Sequence, residues 1–237
     1  MLFYMAAKNA PGYLTYNLSY IELYPEFICM PEDGPEYECS HDDICDNGTV
    51  LVDFRVDWSK ATSLHNWVEE LDLYCVSNFK ISLFGSLFFL GFFISSLFVS
   101  RFADIYGRKP FFVWSGVLQL IAYSIAIFVV DLSARYAMLF FLGLALGIRT
   151  ASEFPLFAEL TPNSRQAFLF TVFNVFDGLN VAFSSIYFYW ISKEWVYYNY
   201  FGLALCGASF IISFFIPESP RYYYEQRKYS EAKRVMN

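Results

Sequence analysis

Apolar residues along this chain come in blocks of about twenty, joined by short polar links. Five blocks read as membrane-spanning helices, roughly Phe79–Phe102, Phe111–Val130, Tyr136–Phe157, Ala167–Ile191 and Val196–Ile216. A helix needs ~20 apolar residues to cross the hydrocarbon layer, and backbone groups there must pair within their own segment. A sixth block, about Leu2–Leu23, is interrupted by Lys8, Asn9, Pro11 and Asn17 and reads as a degenerate first helix. It lacks the basic, apolar and small-residue order of a cleaved signal. A buried helical core is the other home for such blocks, but five with short links in one small chain point to a bilayer. The pattern divides the chain into an interrupted first helix (1–28), a polar segment (29–78), five spans (79–216) and a polar tail (217–237). The fold expected is all-α and multi-pass. Composition agrees, with 57% hydrophobic and 22% aromatic residues against about 45–50% apolar for a soluble domain.

Charge then orients the spans. Lys and Arg gather on the cytoplasmic side of short loops. Arg101, Arg108 and Lys109 fall in one link, Arg165 in another, and Arg221, Arg227, Lys228, Lys233 and Arg234 in the tail. The intervening links, with Asp131 and Arg135 or Lys193 and Glu194, lie opposite, as does Glu22 to Asp72, which holds fourteen acidic residues against Arg55 and Lys60. The net charge of −7 is therefore divided into a basic inner face and an acidic outer one.

Four of the five cysteines, Cys29, Cys39, Cys45 and Cys75, fall in or beside that acidic segment. They allow two disulfides in three pairings and imply an oxidising compartment. Asn47 opens an Asn-Gly-Thr glycosylation triplet. Cys206 falls within the last span, as a packing residue. His41 is the one histidine near the clustered cysteines and no CxxC pair exists, so a metal site is not expected.

No nucleotide-binding, phosphate-cradling, zinc-protease or serine-hydrolase motif is present, so the chain does not read as an enzyme and calls for no cofactor. It has no basic groove interleaved with aromatics, so nucleic acid is not an expected partner. Gly143 and Gly147 form a GxxxG pattern suited to close helix packing. Three ionisable residues fall inside spans: Arg149 and Glu153, four apart on one helix face, and Asp177. Intramembrane charge usually faces a bundle interior or water. These are candidate cavity residues, with a local Arg149–Glu153 pair near the inner surface as the alternative.

The link Ser100 to Pro110, SRFADIYGRKP, concentrates charge between two apolar runs. Gly107 permits a tight turn, Pro110 suits a helix start, and Arg108 and Lys109 can remain in water or meet lipid head groups. Asp104 calls for a cationic or helix N-terminal partner. The link resembles the loop between the second and third helices of the major facilitator superfamily. Asp104, Gly107, Arg108 and Lys109 match its pattern, while Ser100 and Ile105 depart from it. Pro217, Glu218, Ser219, Pro220 and Arg221 match the segment after the sixth helix of sugar porters and organic-ion transporters. AELTPNSRQ, with Glu159, Pro162 and Arg165, is similar to the loop after the fourth helix, one residue short. YPEFIC from Tyr24 and EELDLYCVSNFK from Glu69 resemble the organic cation and anion transporter branch.

The resemblance implies an amino-terminal six-helix half of a major facilitator fold. Asp104, Gly107, Arg108, Lys109, Glu159, Arg165, Glu218 and Arg221 would form an inner-face ionic latch. It implies the lipid bilayer as surroundings, a second six-helix half or a larger membrane assembly as partner, and a small organic ion as substrate. It places the chain in the plasma membrane. The alternative is a transporter-derived structural subunit of a larger complex, for example in the mitochondrial inner membrane. The orientation predicts that, after mild reduction, a membrane-impermeant thiol reagent labels Cys29, Cys39, Cys45 and Cys75 from the outer side. Labelling from the cytoplasmic or matrix side alone would reverse the topology.

Overall fold

A computed structural model describes residues 10–31, 34–46, 49–50 and 52–236. Among these, five helices are long and apolar enough to cross a membrane. They are α5 (Asn78–Tyr106), α6 (Arg108–Phe128), α7 (Leu132–Leu160), α8 (Asn163–Ile186, ending in a π-helical turn Tyr187–Ile191) and α9 (Trp195–Ser213). Several of these helices run beyond their apolar blocks into polar residues, as α5 does to Tyr106 and α7 does from Leu132 to Leu160. The Asp131 carboxylate accepts the Ala134 N–H at the start of α7. Ser219 likewise caps α10 (Pro220–Glu225), which leads to α11 (Tyr229–Met236).

The charged link is shorter than its sequence suggests. Ser100 to Tyr106 continue α5 and Arg108 begins α6, so the turn reduces to Gly107. Its φ of +99° favours glycine, and a Cβ there would stand 2.6 Å from Glu218 Oε2.

The described part of the interrupted first block forms two short pieces, α1 (Ala10–Thr15) and α2 (Leu18–Ile21). The break falls at Tyr16 and Asn17, where the buried Asn17 side chain donates to the Tyr13 carbonyl instead of leaving the ladder regular. Tyr13 packs its ring 5.2 Å from Tyr198 and 5.7 Å from Phe201. This seats α1 on α9, where Gly202 leaves space.

The outer segment adds a small β layer to the helical bundle. Strand β1 (Phe27–Cys29) pairs antiparallel with β2 (Tyr37–Cys39) and with β5 (Phe54–Val56). A short helix α3 (His41–Ile44) and a two-stranded ribbon, β3 (Cys45–Asp46) with β4 (Thr49–Val50), lie between. Phe27, Cys29 and Ile44 form its buried centre, with Phe54 and Tyr74 against them. The cysteines pair as Cys29–Cys39 and Cys45–Cys75, with Cα separations of 5.9 and 5.3 Å. Asn47 lies outside the described residues.

Helix α4 (Trp67–Glu70) fixes this segment to the bundle. Glu70 meets Arg135 at 2.8 Å, and the Arg135 side chain is completely buried. Its guanidinium lies 4.4 Å from the Trp67 ring centre and 5.3 Å from that of Trp195. Lys193 Nζ donates to the carbonyls of Trp58 and Lys60. The cysteine segment therefore sits on the same face as the links bearing Arg135 and Lys193.

At the centre, α5 and α7 touch backbone to backbone. A Cβ on Gly143 would lie 2.0 Å from the Phe88 carbonyl oxygen, and one on Gly91 2.1 Å from that of Phe140. Gly143→Ala should therefore destabilise the chain by about 1–3 kcal/mol, the usual range for overpacking. Gly85→Ala, where the added Cβ meets nothing within 4 Å, should be neutral or slightly stabilising by helix propensity. Thermal unfolding of the two variants in one detergent checks the contrast.

Candidate functional site

Two sites emerge from the sequence candidates, one inside the bundle and one at its inner end. The first is a cavity of about 280 Å³ between α1, α5, α7 and α8. Arg149, Glu153 and Asp177 all line it, with Tyr16, Phe173 and Asn174. Arg149 and Glu153 close on each other, Nε to Oε2 at 3.0 Å. The pair is deeper than a local surface contact: the two residues are 4% and 2% exposed. Arg149 also donates to Gln119 Oε1 on α6 and Ser209 Oγ on α9, both at 2.9 Å. One guanidinium thus joins three helices, a use of its fixed donor fork that a lysine could not repeat.

Asp177 projects from the middle of α8 and accepts a 2.6 Å hydrogen bond from the Tyr16 hydroxyl. Tyr16 sits at the break between α1 and α2, so the interruption of the first block supplies a cavity group. Sequence patterning missed Tyr16, Gln119 and Ser209, because nothing local marks partners that lie 161, 30 and 60 residues away.

The second site surrounds Gly107. Arg108 pairs with Asp104 Oδ1 at 2.9 Å through Nη2 and with Glu159 Oε1 at 2.8 Å through Nη1. Glu159 also accepts from the Ser219 hydroxyl and lies 4.0 Å from Arg221 Nη1. Arg221 pairs with Glu225 at 2.9 Å, and that hydrogen bond, with the nearby carboxylates, raises its guanidinium further above its usual pKa. Glu218 does a different task. Its carboxylate accepts the backbone N–H groups of Arg108, Lys109 and Ser219 at 2.9–3.2 Å, capping the start of α6. A carboxylate at a helix N-terminus is also stabilised by the helix dipole.

The structure thus gathers Asp104, Arg108, Glu159 and Arg221 into one cluster, with Gly107 and Glu218 as its backbone support. Lys109 is turned away and donates to the Phe214 carbonyl at 2.9 Å. Arg165 is exposed and makes no ion pair among the described residues. Ser219 is the member overlooked by charge alone, although its motif marks the position.

Comparison with known proteins adds a family. Residues 12–237 match the family described as "Sugar (and other) transporter". "Solute carrier family 22 member 15-like" of Xenopus laevis is 27% identical over 97% of this chain and 46% of its own length. "Organic cation transporter 1" of Caenorhabditis elegans is 28% identical over 93% of this chain and 36% of its own. "H(+)/hexose cotransporter 1" of Parachlorella kessleri is 26% identical over 76% and 34%. The chain spans less than half the length of these relatives.

The buried Arg149–Glu153 pair gives a stability prediction. Removing one member should cost about 3–5 kcal/mol, because the other charge stays buried. Arg149→Gln should therefore unfold at a clearly lower temperature than Arg149→Gln with Glu153→Gln. Equal losses in the single and double variants would show that the pair is not the source.

Proposed function

Because this chain belongs to the sugar (and other) transporter family, we propose that it is half of a membrane carrier for small organic cations. The second six-helix half, on a separate or continuing chain, would complete it. The cavity carries this reading. Arg149 and Glu153 offset each other, so among the described residues Asp177 contributes the net charge of the wall. A carboxylate at mid-bilayer depth would meet a cation with less desolvation penalty than a neutral or anionic solute. Tyr16 beside it adds exposed aromatic surface, which also favours cations. The name of the Caenorhabditis relative agrees with that choice. By the same family relationship, the membrane is the plasma membrane.

The inner cluster is the latch in this reading. Its exposed pairs, Arg108 with Asp104 and Arg221 with Glu225, contribute about 0–1 kcal/mol each, so they can close one state and yield to another around the more buried Arg108–Glu159 pair. Glu159 Oε1 faces both Arg108 and Arg221, and its Oε2 accepts from Ser219. It would hold the inner ends of α5, α6, α7 and α10 in register when the carrier faces outward.

Uptake by vesicles containing the purified chain, alone and with its native partners, tests the proposal. Organic cations should enter above the empty-vesicle background when the partner half is present. Asp177→Asn should abolish this entry while leaving abundance and unfolding temperature nearly unchanged. Uptake of anions or sugars in preference to cations would overturn the substrate class. No uptake, with the chain recovered in fixed ratio to other membrane subunits, would favour a structural subunit instead.

A further inference from the structure

Beside the ionic cluster, the inner end of α6 carries a separate groove of about 400 Å³. Tyr106 from the end of α5, Lys109 and Trp114 from α6, and Tyr222 and Tyr223 from α10 line it. Glu218 borders the groove, but its oxygens are committed to three backbone N–H groups. Lys109 Nζ gives one of its three donors to Phe214. The other two remain for a ligand, together with the tyrosine hydroxyls.

The groove opens onto an apolar track. Trp114, Ile121 and Phe128 are 68%, 54% and 64% exposed, and their seven-residue spacing puts them on one face of α6. Phe214 and Phe215, at the end of α9, are also exposed. Aromatic and basic groups above an apolar stripe form the composition of a membrane's polar boundary. The adjoining tail adds Arg227, Lys228, Lys233 and Arg234, all exposed.

We propose that this groove binds an anionic phospholipid of the inner leaflet. Lys109 and the hydroxyls of Tyr222 and Tyr223 would take the headgroup phosphate, and an acyl chain would follow Trp114 and Ile121. The track favours a lipid over a free phosphate, which has nothing to place against it. It also disfavours a peptide, whose irregular backbone would face hydrocarbon without partners.

Native mass spectrometry of the full chain, extracted from phosphatidylcholine vesicles holding about one-fifth phosphatidylserine, tests this. The wild-type chain should retain phosphatidylserine in preference to phosphatidylcholine. Lys109→Gln should lower that retention roughly fivefold, the effect of one cation near an anionic leaflet. Tyr222→Phe should lower it roughly threefold, as for one lost hydrogen bond. Lys80→Gln removes the same charge at the outer end of α5 and should leave retention unchanged. If Lys109→Gln unfolds on losing its contact with α9, Tyr222→Phe decides. No preference in the wild type, equal loss in Lys80→Gln, or displacement of the lipid by inorganic phosphate would each overturn the proposal.

Discussion

The contact on which the other features depend is the meeting of α5 and α7 without side chains between them. Gly91, Gly143 and Gly147 remove the Cβ atoms that would hold the two backbones apart. Close packing is a main source of helix association in lipid, where the hydrophobic effect between helices is absent. The seam has consequences at three levels. At its inner end it brings Asp104 and Glu159 close enough for Arg108, at the start of α6, to pair with both. In the middle it places Phe92 and Leu146 on the cavity wall. At its outer end it sets Arg135 beneath the cysteine-bearing segment.

Charges at the two faces are handled in opposite ways. On the outer side, Arg135 is completely buried under Trp67 and Trp195 and paired with Glu70. Breaking such a contact strands a desolvated charge, so the segment is held firmly. On the inner side, the Asp104 and Arg221 side chains are 62% and 68% exposed, so water can replace these two partners, while Arg108 and Glu159 between them are 14% and 17% exposed. Charge is sealed at the outer end and only partly shielded at the inner end. The proposed carrier would need that division to open inward.

Much of this could be read from the chain. Span number follows from block length, because the bilayer imposes a fixed width on every helix. The two faces follow from where Lys and Arg collect. Gly143 and Gly147 announce the seam by their spacing. What remained hidden depends on distant or non-periodic contacts. Cys29 meets Cys39 across two three-residue strands, too short to show alternation, and Cys45 meets Cys75, which lies outside any strand. Arg135 resembled an ordinary link cation, since nothing nearby in sequence announces the two tryptophans that cover it. Tyr16 looked like part of a damaged helix, yet the damage is what aims it at Asp177. Charge between two apolar runs reads as a long loop. Arg101 and Asp104 instead ride on a helix that continues past the hydrocarbon.

The Cys45–Cys75 bond also changes how the chain responds to cleavage. It joins the outer segment to the residues just before α5 and encloses thirty residues of sequence separation. A protease that cuts once between these two cysteines produces two fragments that do not part. The clipped molecule keeps its mass on a gel, its place in the bilayer and both of its ends in one particle. Only a reductant reveals the cut, so apparent integrity of this chain at a cell surface is a statement about sulfur chemistry as well as about the polypeptide.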